Sequence, residues 1–487
     1  MNNTIVNEIS QRSARFLIIS LGVIACIYIS LIYDVKLGFG IALIPIVLLA
    51  ISFGVAKTSV SLTFLYVVNY FIMGLGRYIN IPIPITNIFD LIFAIIFTFI
   101  IIRQIYRQDN FNKILNIYTV LTFIWMLYCI INLGNDVTGE INFEAWLRAV
   151  RPLAIYPFLT CIVISISCKH YSFIQYFLIL LAVLTILGAL KGIWQKRHGF
   201  DSAEYLWVTT RGASTHLIYS GIRYFSFFTD AANFGCSMGF SCIVLSLSSI
   251  FIKNKIIKIL FLFASALAVY GLLIAGTRAA LAVPFAGLAL FTILAKNWKL
   301  TTASAICFII LIFILKFTTI GNNNQYVRRM RTAFDIEDAS FQVRLENQKA
   351  LKAYMSEVPF GIGISGVGDI LSTKNKFYFV SICAPDSDLV NIWIRTGVVG
   401  LTIYLIIQFF IYSIGSYILL FKIKNPEIRG PLTAMLCGCA GLLVASYANM
   451  INFQFPNGLM VYTCLTLVFI GPYLDKQYTL EHEKSGN

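Results

Sequence analysis

Charge is what this sequence has least of. Asp, Glu, Lys and Arg make up 12% of its 487 residues, about half the share of an ordinary soluble domain, which excludes a solvated globular fold. Short segments of alternating hydrophobicity are missing too, and with them the signature of an outer-membrane barrel. The eleven cysteines are odd in number, and all but Cys383 sit in apolar stretches. Neither a disulfide framework nor a zinc site is therefore expected. The two halves of the chain do not echo one another, as they do in many secondary transporters built on repeats. No small-residue cleavage site precedes Tyr33, so the first apolar run, after Arg12 and Arg15, is expected to stay as a span.

In place of these, 58% of the residues are hydrophobic, gathered in runs long enough to cross the hydrocarbon as helices that satisfy their own backbone. The runs lie near 16–33, 38–55, 58–76, 86–102, 114–133, 148–167 and 172–193, then 230–252, 256–275, 278–295, 299–319, 389–421, 430–450 and 457–473. An all-α, polytopic transmembrane bundle of about 14 spans is expected. The run 389–421 exceeds one straight span and should tilt or pass the interface.

The net charge of +15 invites a nucleic-acid reading, but the Lys and Arg sit mostly in short loops between spans. Arg103, Arg107, Lys113, Lys169, Lys253, Lys255, Lys258, Lys296, Lys299, Lys422, Lys424 and Arg429 fall in alternate loops. The positive-inside rule puts those loops and both termini in the cytoplasm. Residues 194–229 and 320–388, long and polar, then lie outside. The chain divides into helices at 1–193, a loop at 194–229, helices at 230–319, a larger loop at 320–388, helices at 389–473 and a cytoplasmic tail at 474–487.

In the larger loop, residues 341–355 read as a helix with a mixed face after Ser340, either an interfacial helix or lid or a solvated connector. Gly361-Ile-Gly363-Ile-Ser-Gly366 matches GxGxxG in letters, yet no strand-turn-helix unit surrounds it, so it reads as a flexible turn after Pro359. Gly276-Thr277-Arg278 falls where two apolar runs almost touch. An arginine there either snorkels to headgroups or grips an anion bidentately. Arg223 precedes a span carrying Asn233 and faces the same compartment. Asp386 and Asp388 stand at the mouth of a long apolar helix, before Gly397-Val-Val-Gly400-Leu401, and can be caps or working groups.

In this order and topology, the pieces resemble the O-antigen ligase and polymerase superfamily of polytopic glycosyltransferases. Gly276-Thr277-Arg278 resembles that family's Gly-Ser/Thr-Arg hairpin, and Arg223 with Asn233 its earlier periplasmic motif. Val358-Pro-Phe-Gly-Ile-Gly363 and the Gly397–Leu401 segment resemble its closing motifs. Asp386-Ser387 stands where ligases carry His-Asn, which looks more like the Wzy-type polymerases.

The resemblance implies a bacterial inner-membrane enzyme with a periplasmic site. It would join oligosaccharide units carried on undecaprenyl pyrophosphate with inversion and without metal or cofactor. Arg278 and Arg223 would stabilise the departing pyrophosphate, and Asp386 would take the acceptor proton. Asn233 and Asp388, with loop arginines such as Arg211, Arg328, Arg329, Arg331 and Arg344, would bind substrate. Tyr205, Trp207, Tyr224 and Tyr378 could stack on sugars or anchor at the interface. The partners would be lipid-linked oligosaccharide, the bilayer and, with room left for it, a chain-length regulator. The alternatives are a ligase, which differs in the acceptor, and a lipid-linked oligosaccharide flippase, which predicts charges at mid-membrane and no large external loop.

Cysteine labelling should reach residues 201–220 and 322–375 from outside and Lys255 and Lys422 from inside. Labelling of the 320–388 loop from the cytoplasm would remove the external site.

Overall fold

The computed structural model describes residues 58–485, apart from 80–83, 107–111, 141, 219–220, 332–338, 369–370 and 384. The spans expected at 16–33 and 38–55 lie outside the described residues. The other twelve expected runs are all helices. They are α1 (Thr58–Leu75), α2 (Ile85–Tyr106), α3 (Ile117–Ile131), α4 (Phe143–Ser167), α5 (Ser172–His198), α6 (Ala231–Phe251) and α7 (Lys255–Ala275). They continue as α8 (Ala279–Leu294), α9 (Trp298–Phe317), then, after the amphipathic α10 (Ala339–Met355), α11 (Asp388–Lys422), α12 (Pro426–Ala445) and α13 (Asn457–Ser485). Eleven are long and apolar enough to cross a membrane, and α8 is a shorter apolar helix.

Asparagines start many of these helices. Asn116, Asn142, Asn254 and Asn425 each accept hydrogen bonds from the first-turn amides of α3, α4, α7 and α12, satisfying donors that lipid and a neighbouring helix cannot. Within α4, Pro152 sits in a one-turn π widening at Arg151–Ile155. Pro157 has no N–H to return to this turn, and the carbonyls left over accept from side chains, Pro152 O from Tyr462 Oη at 3.1 Å and Leu153 O from Trp125 Nε1 at 3.0 Å.

Helix α6 is the hub. It packs against α7, α8, α12 and α5, while α13 packs against α12 and α4. Burial follows this order: 89% of the α13 span window is buried but only 6% of the α9 window, which makes α9 the least buried of the eleven spans. Small residues let the inner helices close up. A Cβ on Gly441 of α12 would stand 2.4 Å from Val283 O of α8. Inter-helix bonds add to this, with Thr185 Oγ1 to Ser241 Oγ at 2.8 Å and Tyr66 Oη to Thr463 Oγ1 at 2.7 Å. Arg151 of α4 pairs with Asp90 of α2, a half-buried ion pair within the spans.

The two long polar segments are built structures. After α5, which runs past the expected boundary at 193 to His198, come short helices at Ser202–Trp207 and Ala213–His216 and an antiparallel pairing of Leu217–Ile218 with Gly221–Ile222. The larger segment has its own apolar cluster of Leu351, Met355, Val358, Ile362, Leu371, Phe377 and Val380 closed against Ile394 of α11. Helix α10, expected at 341–355, therefore packs Leu351 and Met355 inward and is no solvated connector.

Gly441→Ala should destabilise the protein by about 1–3 kcal/mol, because its methyl group meets backbone that cannot rotate away. Gly134→Ala, with nothing within 4 Å of the new Cβ, should leave the unfolding temperature in detergent nearly unchanged. Equal effects of the two would contradict the close packing of α8 and α12.

Candidate active site

The Gly276-Thr277-Arg278 hairpin is a seat for Arg223. Helix α7 stops at Gly276, whose φ of 59° is left-handed and costs glycine nothing. The next residue, the buried Thr277, donates its hydroxyl to Ala231 O at 3.1 Å and accepts from Arg223 Nη2 at 2.5 Å. Arg223 also donates from Nη1 to Thr215 O at 3.0 Å and from Nε to Ala275 O at 3.5 Å. Burial pushes its guanidinium below the ordinary arginine pKa; Asp230 opposes the shift, and the charges of Arg278 and Arg344 add to it. From helix Gln325–Arg331 comes a fourth arginine: Arg329 Cδ lies 3.6 Å from where a Gly276 Cβ would be. Four guanidiniums thus gather at one hairpin.

Neither Arg211 nor Arg328 joins them by any described contact. Both are exposed, and on helix Gln325–Arg331 it is Arg329 that turns inward. Nor are two of the expected sugar-stacking aromatics free to stack. Trp207 lies over the Arg77 guanidinium at 4.5 Å and Tyr224 is buried, while Tyr205 is exposed. Arg77, which sequence reasoning missed, donates to the carbonyls of Ser226, Phe228 and Thr229 and so holds the turn leading into α6. His216, also missed, is buried and pushed down to about 4 by that burial, with its backbone-carbonyl bond to Arg223 opposing. A neutral ring must carry its proton on Nδ1 to donate to Arg223 O at 3.1 Å. It props the arginine from behind.

The acidic end of the site differs from expectation. Asp386 is exposed, so the partial burial expected to raise its pKa is not there. The cap of α11 is Ser387, whose Oγ accepts from Leu389 N at 3.2 Å. It is Asp388 that is buried, 1% exposed. Its Oδ2 accepts from Ile451 N at 3.1 Å and Asn452 N at 2.9 Å, and its Oδ1 has no partner. Asp388 lines a cavity of about 560 Å³ together with Arg148, Asn391, Arg395, Met450 and Gln454. Oδ1 is enclosed and without a partner on a residue that lines a cavity of mixed polarity, which makes it a candidate to accept a proton from something that enters once it is uncovered.

Two glycine motifs shape the helix that begins at that carboxylate. Helix α11 is broken at Gly397, where φ is 68° and ψ −171°. Into the break fits the Pro359–Gly363 segment, with Val399 N donating to Pro359 O at 3.1 Å and Ile362 N to Ile394 O at 2.9 Å. A Cβ on Gly397 would lie 2.0 Å from Pro359 O, and one on Gly361 2.5 Å from Gly397 N. Asn135 Nδ2 clamps the same segment at Phe360 O and Gly361 O, both at 3.0 Å. The GxGxxG letters therefore spell a fixed wedge, not the flexible turn expected from sequence.

Gln454 joins the two ends. It lines the Asp388 cavity, and its Oε1 accepts from Thr229 Oγ1 at 3.0 Å and Asn233 Nδ2 at 3.2 Å, at the start of α6. The Asn233 amide is wholly occupied: Nδ2 also donates to Thr229 Oγ1 at 2.8 Å and Phe455 O at 2.6 Å, and Oδ1 accepts from Asn457. Its geometry is that of a tie between α6 and α13.

Among known families, the one described as O-antigen ligase (Wzy_C) matches residues 263–405. No curated protein matches the chain. The matched stretch starts within α7 and ends within α11, so it holds Arg278, Arg329, Arg344, both wedge glycines and Asp388, and leaves out Arg223. A hairpin seating arginines and a broken helix carrying a carboxylate both lie within that match, which covers residues 263–405 and supports a relationship of this membrane protein to the O-antigen ligase/polymerase superfamily.

Proposed function

We propose that the protein is a polysaccharide polymerase of the bacterial inner membrane, transferring glycan from undecaprenyl pyrophosphate to the non-reducing end of a second lipid-linked unit on the periplasmic face. The observation that carries this reading is the pairing of an arginine-lined hairpin with an unpartnered carboxylate oxygen across the start of α6. The chemistry divides between them. A hydroxyl oxygen of the acceptor sugar attacks the donor's anomeric carbon, its proton passes to Asp388 Oδ1, and the bond to the pyrophosphate oxygen breaks. Attack from the opposite face inverts the centre. Charge grows on the leaving pyrophosphate, so guanidiniums fixed there favour the transition state over the ground state.

Arg278 and Arg223 are the groups for that charge, with Arg329 and Arg344 beside them, and they take the place a cation would fill. Asp388 replaces Asp386 as the proposed base because it alone is desolvated and faces the cavity. Asn233 and His216 hold positions. A ligase, with the same donor and another acceptor, is the second reading. The Asp386-Ser387 pair, where ligases carry His-Asn, favours the polymerase.

Asp388→Asn keeps an acceptor for the Ile451 and Asn452 amides, so the protein should insert normally while polymer formation falls about 10²-fold or more. Asp386→Asn should stay near wild type, and Arg278→Lys and Arg223→Lys should lose most activity with the charge retained. In a deletion strain, single repeat units should remain. Long polymer stranded on the polyprenyl carrier would hand the case to the ligase, and full activity in Asp388→Asn would remove it as the base.

A further inference from the structure

We propose that the cavity beside Asp388 is built for an acidic sugar, with Arg395 gripping a carboxylate carried by the repeat unit. This rests on the reading that a sugar enters that cavity, and it names the class of sugar. Two helix stripes line the space of about 560 Å³. Ala145, Arg148 and Ala149 recur at helical spacing on α4, and Asp388, Asn391 and Arg395 do so on α11, ahead of its break at Gly397. The two alanines leave room for a ligand beside the longer side chains.

The lining is rich in donors. Arg395 donates from Nε to Asn391 Oδ1 at 2.9 Å and from Nη1 to Ile364 O. These bonds fix the guanidinium plane and leave Nη2 without a partner among the described residues. Asn391 has spent its carbonyl oxygen on Arg395, so its Nδ2 is a second open donor. Gln454, whose Oε1 is taken by Thr229 and Asn233, offers Nε2 as a third. Donors in surplus call for a ligand with acceptor oxygens to spare. An ionised carboxylate only accepts, whereas each hydroxyl of a neutral sugar brings a hydrogen that needs an acceptor of its own.

Charge narrows the class further. Arg148 and Arg395 contribute two positive charges and Asp388 one negative, a lining balance of +1. Glu144 alters this little, because it stands 3.9 Å from Arg148 Nε with both side chains exposed. Arg395 forms no ion pair among the described residues. One carboxylate balances the lining, whereas a phosphate monoester, at about −1.5 to −2, overshoots it. The helix sets the position. Helical side chains lean toward the N-terminus, and the bond to Asn391 shows Arg395 doing so. Its guanidinium therefore lies beside Asn391, about 5 Å along the axis from Asp388. One or two sugar rings cover that distance, so the carboxylate belongs to the sugar carrying the attacking hydroxyl or to its neighbour.

The test starts from the polymer that disappears when the gene is deleted. Its repeat unit should carry a sugar carboxylate, read by NMR, and a repeat unit without one overturns the proposal. Repeat-unit oligosaccharide released from that polymer is then titrated onto the purified full-length protein in neutral detergent, before and after reduction of the carboxylate to an alcohol. Wild type should bind the reduced form about tenfold more weakly, a comparison that needs no variant to fold. Arg395→Gln should bind both forms alike, Arg278→Lys should keep the discrimination, and inorganic pyrophosphate should not compete. Equal affinity of wild type for the two forms, or discrimination retained in Arg395→Gln, overturns the proposal. Competition by pyrophosphate that Arg395→Gln abolishes also overturns it, and assigns Arg395 to the lipid carrier. Asp388→Asn separates this from the catalytic reading. Polymer lost in that variant, with no discrimination by wild type, removes only the acidic sugar; full activity with discrimination intact removes only the base.

Discussion

Guanidiniums held by backbone carbonyls are the interaction on which this site depends. Arg77 donates to three carbonyls, Arg223 to two and to the Thr277 hydroxyl, and Arg395 to Ile364 O and the Asn391 amide. Among the described residues none of the three forms an ion pair, whereas Arg151 is neutralised by Asp90. Carbonyls satisfy the N–H groups, so burial is tolerated, but they do not cancel the charge. Partly desolvated positive charge is then left over for a ligand. A carboxylate in the same place would have made a more conventional ion pair and a poorer anion site.

Helix ends and the turns beside them supply those carbonyls, so the working groups gather where spans begin and stop. Gly276 ends α7 and hands Ala275 O to Arg223; the break at Gly397 hands Ile394 O to Ile362. Each break needs a left-handed glycine. Rigidity follows as well, because the Pro359–Gly363 wedge closes the gap in α11 and the Ile451 and Asn452 amides hold Asp388 at its start. The terminal cap around α10 adds a small apolar core over this wedge.

Hydropathy and length made the spans readable, since a run of about 20 apolar residues has few alternatives in a chain so poor in charge. All twelve runs within the described residues became helices, with ends shifted by up to five residues except in α13, which continues past the expected 473 to Ser485. Arg223 and the Gly-Thr-Arg hairpin were readable as separate pieces through a family resemblance. Their contact was not, because it joins Thr277 to a residue 54 positions away. The choice between Asp386 and Asp388 turned on a two-residue difference in burial at a helix entrance, which periodicity does not resolve. Arg329 against Arg328 was the same problem on a seven-residue helix. His216 and Arg77 carried no pattern at all; their roles exist only in the packing of Trp207 and Phe225 around them.

The most direct measurement is a structure of the protein with a non-hydrolysable polyprenyl-pyrophosphate oligosaccharide bound. The account predicts phosphate oxygens within hydrogen-bond distance of Arg223 and Arg278, with the sugar in the 560 Å³ cavity beside Asp388 Oδ1. A pyrophosphate seated away from the Gly276–Arg278 hairpin, with Asp388 out of reach of any sugar, would contradict it.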